Sequence, residues 1–135
     1  MLIEDDVDDQ EFIIGALEFL GVENKIEVFE NGQKALDYLH STNIRPFLIL
    51  SDVNLPILNG LQLKAEIQKS ECLELRSVPF IFLSTSADAR AVSEAYKLGV
   101  QGFFVKENTY DGILQQLRHI VEYWKNCQHP AALAS

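Results

Sequence analysis

Five short, mostly apolar runs alternate along this chain with segments of helical periodicity, and that alternation constrains the fold more than any other feature. The runs are Met1-Leu2-Ile3, Ile26-Glu27-Val28-Phe29, Phe47 to Leu50, Pro79 to Leu83 and Gly102 to Val105. Runs this short and apolar read as strands, several of them covered on both faces. Strand and helix in strict alternation call for crossover connections, which lay helices on both sides of a parallel sheet. The expected class is therefore α/β: three layers, a doubly wound, five-stranded parallel sheet.

The helices are marked by their caps. Asp8 followed by Glu11 has capping-box spacing, with Asp in place of Ser or Thr, and the helix behind it carries Phe12, Ala16, Phe19 and Leu20 before Gly21 ends it. Asn31-Gly32 opens a helix with Ala35, Leu36 and Leu39 on one face, and Asn59-Gly60 opens another with Leu61, Leu63 and Ile67. Asp88 caps a fourth, with Val92, Ala95 and Leu98 inward and Gly99 as its stop. Thr109 caps the longest, with Ile113, Leu117, Ile120, Val121 and Trp124 on one face. These elements make one domain over residues 1–127, and residues 128–135, which lack periodicity, are expected to form a loose tail.

Bulk properties remove several classes of function. A formal charge of -9 across 135 residues repels phosphate backbones and anionic membranes. No apolar run approaches the ~20 residues that a membrane-spanning helix needs. Cys72 and Cys127 lack the patterning of a disulfide framework or a zinc site, so both read as reduced thiols of a cytoplasmic protein. His40, His119 and His129 share no metal-ligand spacing.

Chemistry concentrates at the strand ends. The first strand ends in Glu4-Asp5, the third in Asp52, the fourth in Ser84 and the fifth in Lys106. In a parallel sheet these ends share one edge, where α/β proteins bind ligands. Three carboxylates gathered there repel one another, and a hard divalent cation such as Mg²⁺ relieves the repulsion while keeping waters for a phosphate to displace. A lysine and a hydroxyl across the same crevice suit phosphoryl oxygens. The set fits phosphoryl transfer onto a carboxylate. Each member also has a plainer role: acids favour a helix N-terminus, and Asp52 precedes the Pro56 turn.

The same residues resemble the receiver domains of two-component response regulators over essentially the whole chain. The matching motifs are Glu4-Asp5, Asp52 in Ser-Asp-Val-Asn-Leu-Pro, Asn59-Gly60, Ser84 in Leu-Ser-Thr-Ser, and Lys106 after Gly-Phe-Phe-Val. The resemblance implies a flavodoxin-like sheet of order 2-1-3-4-5. It implies that Asp52 is the phosphoacceptor for a sensor histidine kinase or phosphotransfer protein. By the same resemblance Asp5 and Asp52 hold Mg²⁺ directly, Glu4 acts largely through water and Asn54 through its backbone carbonyl. Lys106 would pair with the phosphoryl group and Ser84 would move to hydrogen-bond it. Phe103, at the aromatic switch position, would follow Ser84 inward or is simply a strand core residue.

The chain departs from the family pattern after Lys106. Glu107 stands where the family usually has a proline after a cis bond. Either the bond is trans and the loop is reshaped, or a costly non-proline cis bond is held there. The output surface implied by the resemblance is the 88–126 region, serving a downstream protein or a homodimer. Its long last helix, with Tyr123-Trp124, resembles stand-alone receivers of the phytochrome-associated type. Two other readings are a non-switching scaffold on a receiver fold and an aspartate-nucleophile phosphatase. The second normally wants an acid two residues beyond the nucleophile, where this chain has Asn54.

Overall fold

The computed structural model of the chain describes residues 1–130. Its five strands are β1 (Leu2–Ile3), β2 (Val28–Phe29), β3 (Ile49–Ser51), β4 (Phe80–Ser84) and β5 (Gly102–Val105). All pair in parallel, in the order β2-β1-β3-β4-β5. The helices are α1 (Val7–Phe19), α2 (Gly32–Ser41), α3 (Gly60–Gln68), α4 (Leu73–Ser77), α5 (Ala89–Lys97) and α6 (Tyr110–Asn126). This is the flavodoxin-like arrangement expected from the alternation and the family resemblance.

Strand side chains alternate between the two layers, as a pleated backbone requires. Leu2, Leu50, Ile81 and Leu83 face α1 and α6, and meet Ile13, Ala16, Leu17, Ile113, Leu117 and Ile120. Ile3, Ile49, Phe80 and Phe82 face the other way, toward Ala35, Leu39, Leu63, Ile67 and Ala95. Trp124 is half-buried against the α1/α6 side.

Several expected details change. Asp6, not Asp8, caps α1: its carboxylate accepts the Asp9 N–H at 3.0 Å. The buried stripe of α1 is Ile13, Ala16 and Leu17, whereas Phe12 and Phe19 are exposed. Phe12 and Phe19 stand on the exposed side beside Glu11 and Glu18, so the apolar periodicity does not select the buried face. The second strand is shorter than the 26–29 run. The short helix α4 was not signalled in the sequence, because Cys72 offers no side-chain cap and five residues show little periodicity. Within the expected tail, the His129 ring stacks on Phe47, with centroids 4.3 Å apart, and its Nε2 lies 2.6 Å from the Phe47 carbonyl. Residues 131–135 of that stretch lie outside the described residues.

Candidate functional site

Asp52 follows β3 directly, and its backbone N–H donates to the Ile3 carbonyl at 3.0 Å. That bond continues the β1–β3 ladder and sets the carboxylate beside the end of β1. Gly60, first residue of α3, lets the helix come close: a Cβ there would lie 2.3 Å from the Asp52 carbonyl oxygen and 2.6 Å from the Phe82 ring. The Asn59–Gln62 capping box and a Gly60 N–H bond to the Val53 carbonyl at 2.9 Å fix the loop. Ile57, on the rim of this loop, has φ 70°. Left-handed backbone costs a β-branched residue about 1–2 kcal/mol, so the turn is held by its anchors rather than by local preference.

The Asp52 carboxylate is buried, and its two oxygens differ. Oδ1 accepts the Ser84 hydroxyl at 2.8 Å and the Asn54 N–H at 3.2 Å. Oδ2 faces Lys106 Nζ at 3.7 Å, beyond hydrogen-bond length. Glu4, Asp5 and Asp52 each bring a carboxylate oxygen within 4.8 Å of the others. Three hard oxygen donors at that spacing fit a divalent cation such as Mg²⁺. Asp6, next in the acidic run, is taken up by capping α1. Phe103 on β5 pairs in register with Phe82, and their rings lie 5.5 Å apart.

Lys106 leaves the end of β5 and buries its ammonium against Glu4 Oε1 at 2.5 Å and Asp9 Oδ2 at 2.9 Å. Burial pulls its pKa down, but the bonds from Glu4 and Asp9 outweigh burial and leave it raised, so the ammonium stays charged. Burial pushes the Glu4 carboxyl up to about 7 against the pull of Lys106. The peptide bond after Lys106 is trans, and the loop is reshaped around Gln116 of α6. The Gln116 side chain donates to the Val105 carbonyl at 2.5 Å and accepts the Glu107 N–H at 3.2 Å, bridging the backbone on both sides of the lysine. Gly112 leaves room for the loop, since a Cβ there would lie 2.5 Å from Glu107 Cβ.

Four members of this site lay outside the sequence expectation. They are Asp9, Gln116, Ser86, which accepts the Asn54 amide at 2.8 Å, and Gln10, which donates to the Glu4 carbonyl at 2.6 Å. Each acts through a side chain reaching across from another element. No sequence motif announces such contacts.

A buried aspartate at the end of a central parallel strand, flanked by an acidic pair, a hydroxyl and a lysine, defines a receiver-type site. Residues 1–118 match the response regulator receiver domain family, and the chain belongs to it. Among curated relatives, the probable methanogenesis regulatory protein FilR2 of Methanothrix harundinacea is 32% identical over 128 residues, covering 92% of this chain and 81% of the relative. Among solved structures, the phosphorylated cyanobacterial phytochrome response regulator RcpA superposes with a TM-score of 0.88 at 30% identity, over 96% of this chain and 95% of that one. The Mn²⁺-bound response regulator Rcp1 gives 0.86 at 25% identity, over 96% of both chains. Among the described residues no helix is long and apolar enough to cross a membrane.

Proposed function

We propose that this chain is a stand-alone, cytoplasmic response regulator whose Asp52 takes a phosphoryl group from a sensor histidine kinase or a phosphotransfer protein. One observation carries the reading: the Asp52 carboxylate is held by one oxygen and left open at the other. Ser84 and the Asn54 N–H fix Oδ1, while Oδ2 stands 3.7 Å from the Lys106 ammonium, just beyond bonding range. That is the geometry of a positioned nucleophile. Asp52 Oδ2 forms a bond to phosphorus as the phosphorus–nitrogen bond of the donor breaks, and the imidazole leaves with the electron pair. Little else is asked of the protein beyond position and charge.

Glu4, Asp5 and Asp52, with Asn54, would hold Mg²⁺, which when bound neutralises charge on the phosphoryl oxygens. Lys106 supplies the second positive charge. Ser84 re-aims its hydroxyl from Asp52 toward the phosphoryl group, and Phe103 moves into the space beside Phe82. The signal leaves through protein contact over the 88–126 region, where Tyr96, Val105 and Tyr123 are exposed. The match to RcpA and Rcp1 supports a stand-alone regulator of the phytochrome-associated type.

Incubation with acetyl phosphate and Mg²⁺ should add one phosphoryl mass to the intact protein, labile to alkali, and Asp52→Asn should abolish it. Undiminished labelling of the Asp52→Asn protein would overturn the assignment.

A further inference from the structure

Lys106 is the cation of the site, yet its closest partners are not the phosphoacceptor. Its ammonium has three donors. One goes to Glu4 at 2.5 Å and one to Asp9 at 2.9 Å, and Asp52 Oδ2 stands off at 3.7 Å. Asp9 comes from the first turn of α1, and its bond to the ammonium is shorter than the Asp52 separation by 0.8 Å (2.9 against 3.7 Å). We infer that Asp9 is a positioning residue that holds Lys106 back from Asp52 before phosphorylation and releases it to the phosphoryl group afterwards. The inference rests on the phosphoacceptor reading of Asp52.

The two partners of the lysine differ in what release costs. The Glu4 side chain is as deeply buried as the lysine itself, at 3% exposed, and freeing it would strand a carboxylate out of water. The Asp9 side chain is 28% exposed and regains water on letting go. Asp9 has no competing structural duty as an acceptor at the cap, because there its backbone N–H is the donor, to Asp6. It is therefore the partner that yields when a dianionic phosphoryl group arrives on Asp52.

The consequence is a threshold. With Lys106 held by Asp9, an incoming phosphoryl group must win the lysine away from a carboxylate already bonded to it. The Asp9 charge also adds to the repulsion an anionic donor meets. Both effects act in one direction: Asp9 opposes phosphorylation of the resting protein. Its removal should strengthen binding of a phosphoryl mimic.

Beryllium trifluoride at saturating Mg²⁺ provides the probe, with amide resonances of the intact chain as readout. Asp9→Asn should tighten the apparent Kd by about 3- to 10-fold, the range of a partly exposed bond to a charged group. Asp9→Glu, which keeps the carboxylate, should return toward the parent. Asp8→Asn makes the same charge change at an exposed position one residue earlier on α1, and should alter the Kd by less than about twofold, as expected for a screened surface charge. Unchanged or weaker binding in Asp9→Asn, or an equal gain in Asp8→Asn, would overturn the inference. Either result can occur in a protein that still labels normally on Asp52, so loss of this inference leaves the phosphoacceptor reading standing. A parent that neither labels nor binds the mimic removes both.

Discussion

At the scale of single residues, the least expected is Lys64. It sits in α3 between Leu63 and Ile67 and is 1% exposed. Its ammonium meets Gln68 Oε1 at 2.9 Å and lies 5.5 Å from the centre of the Phe80 ring. Burial lowers its pKa from 10.5 to about 8. The unfolded chain therefore binds more protons than the native one between those two values, and stability rises with pH across that window. Below about 8 both states carry the charge and the full cost of burying it remains. The shift corresponds to roughly 3 kcal/mol, partly offset by the Gln68 bond and the ring. Lys64→Met should stabilise the protein by about 2 kcal/mol at neutral pH. The gain should shrink toward zero above 10.5. Urea unfolding of both proteins at neutral and alkaline pH measures the difference, and equal stability at neutral pH would contradict the account. Asp52, Ser84 and Lys106 were legible in the sequence because each ends an apolar run, whereas Lys64 interrupts a helical face and carries no such marker.

At the scale of elements, the loop from β5 to α6 is where this chain differs from the usual receiver pattern. A proline after the lysine would fix that loop covalently. Here Gln116 does so with two hydrogen bonds, to the Val105 carbonyl and from the Glu107 N–H, while Gly112 admits the loop onto the helix. Gln116→Ala leaves both backbone groups to water on an exposed surface, so the stability loss should be only about 1 kcal/mol. The larger effect should be on phosphorylation, because Lys106 lies between the two bonded residues. A drop of about 10-fold in the rate of labelling by acetyl phosphate is expected, since small misplacements of a positioned group are costly. A labelling rate equal to the parent's would show that β5 alone positions the lysine. Sheet order and the α/β class followed from the alternation and the family resemblance. The face of α1 did not, because Phe12 and Phe19 are apolar yet share the exposed side with Glu11 and Glu18. The cap expected at Asp8 fell instead on Asp6, because Asp6, Asp8 and Asp9 are all acids suited to a first turn, and it is the Asp6 carboxylate that accepts the Asp9 N–H.

At the scale of the whole molecule, two apolar layers hold the sheet, and apart from Lys64 the buried charged side chains among the described residues, Glu4, Asp52 and Lys106, are gathered at one edge. Glu4, Asp5, Asp9 and Asp52 share that edge with Lys106. Four acids against one base repel one another, and a cluster of that kind lowers the stability of the fold that carries it. A divalent cation at the proposed site binds the native state alone and must raise its stability. At ten times its Kd the gain is about 1.4 kcal/mol, or roughly 5 °C in Tm for a domain of this size. Asp52→Asn removes one of the mutually repelling charges and keeps an oxygen for the Ser84 hydroxyl and the Asn54 N–H. It should melt higher than the parent without metal and respond less to Mg²⁺. Thermal melts of both proteins with and without Mg²⁺ separate these effects. An unchanged parental Tm in Mg²⁺ would count against a cation site at this edge. An equal Mg²⁺ shift in Asp52→Asn would place the cation away from the phosphoacceptor, and the carboxylate cluster would then lack the role in catalysis proposed for it.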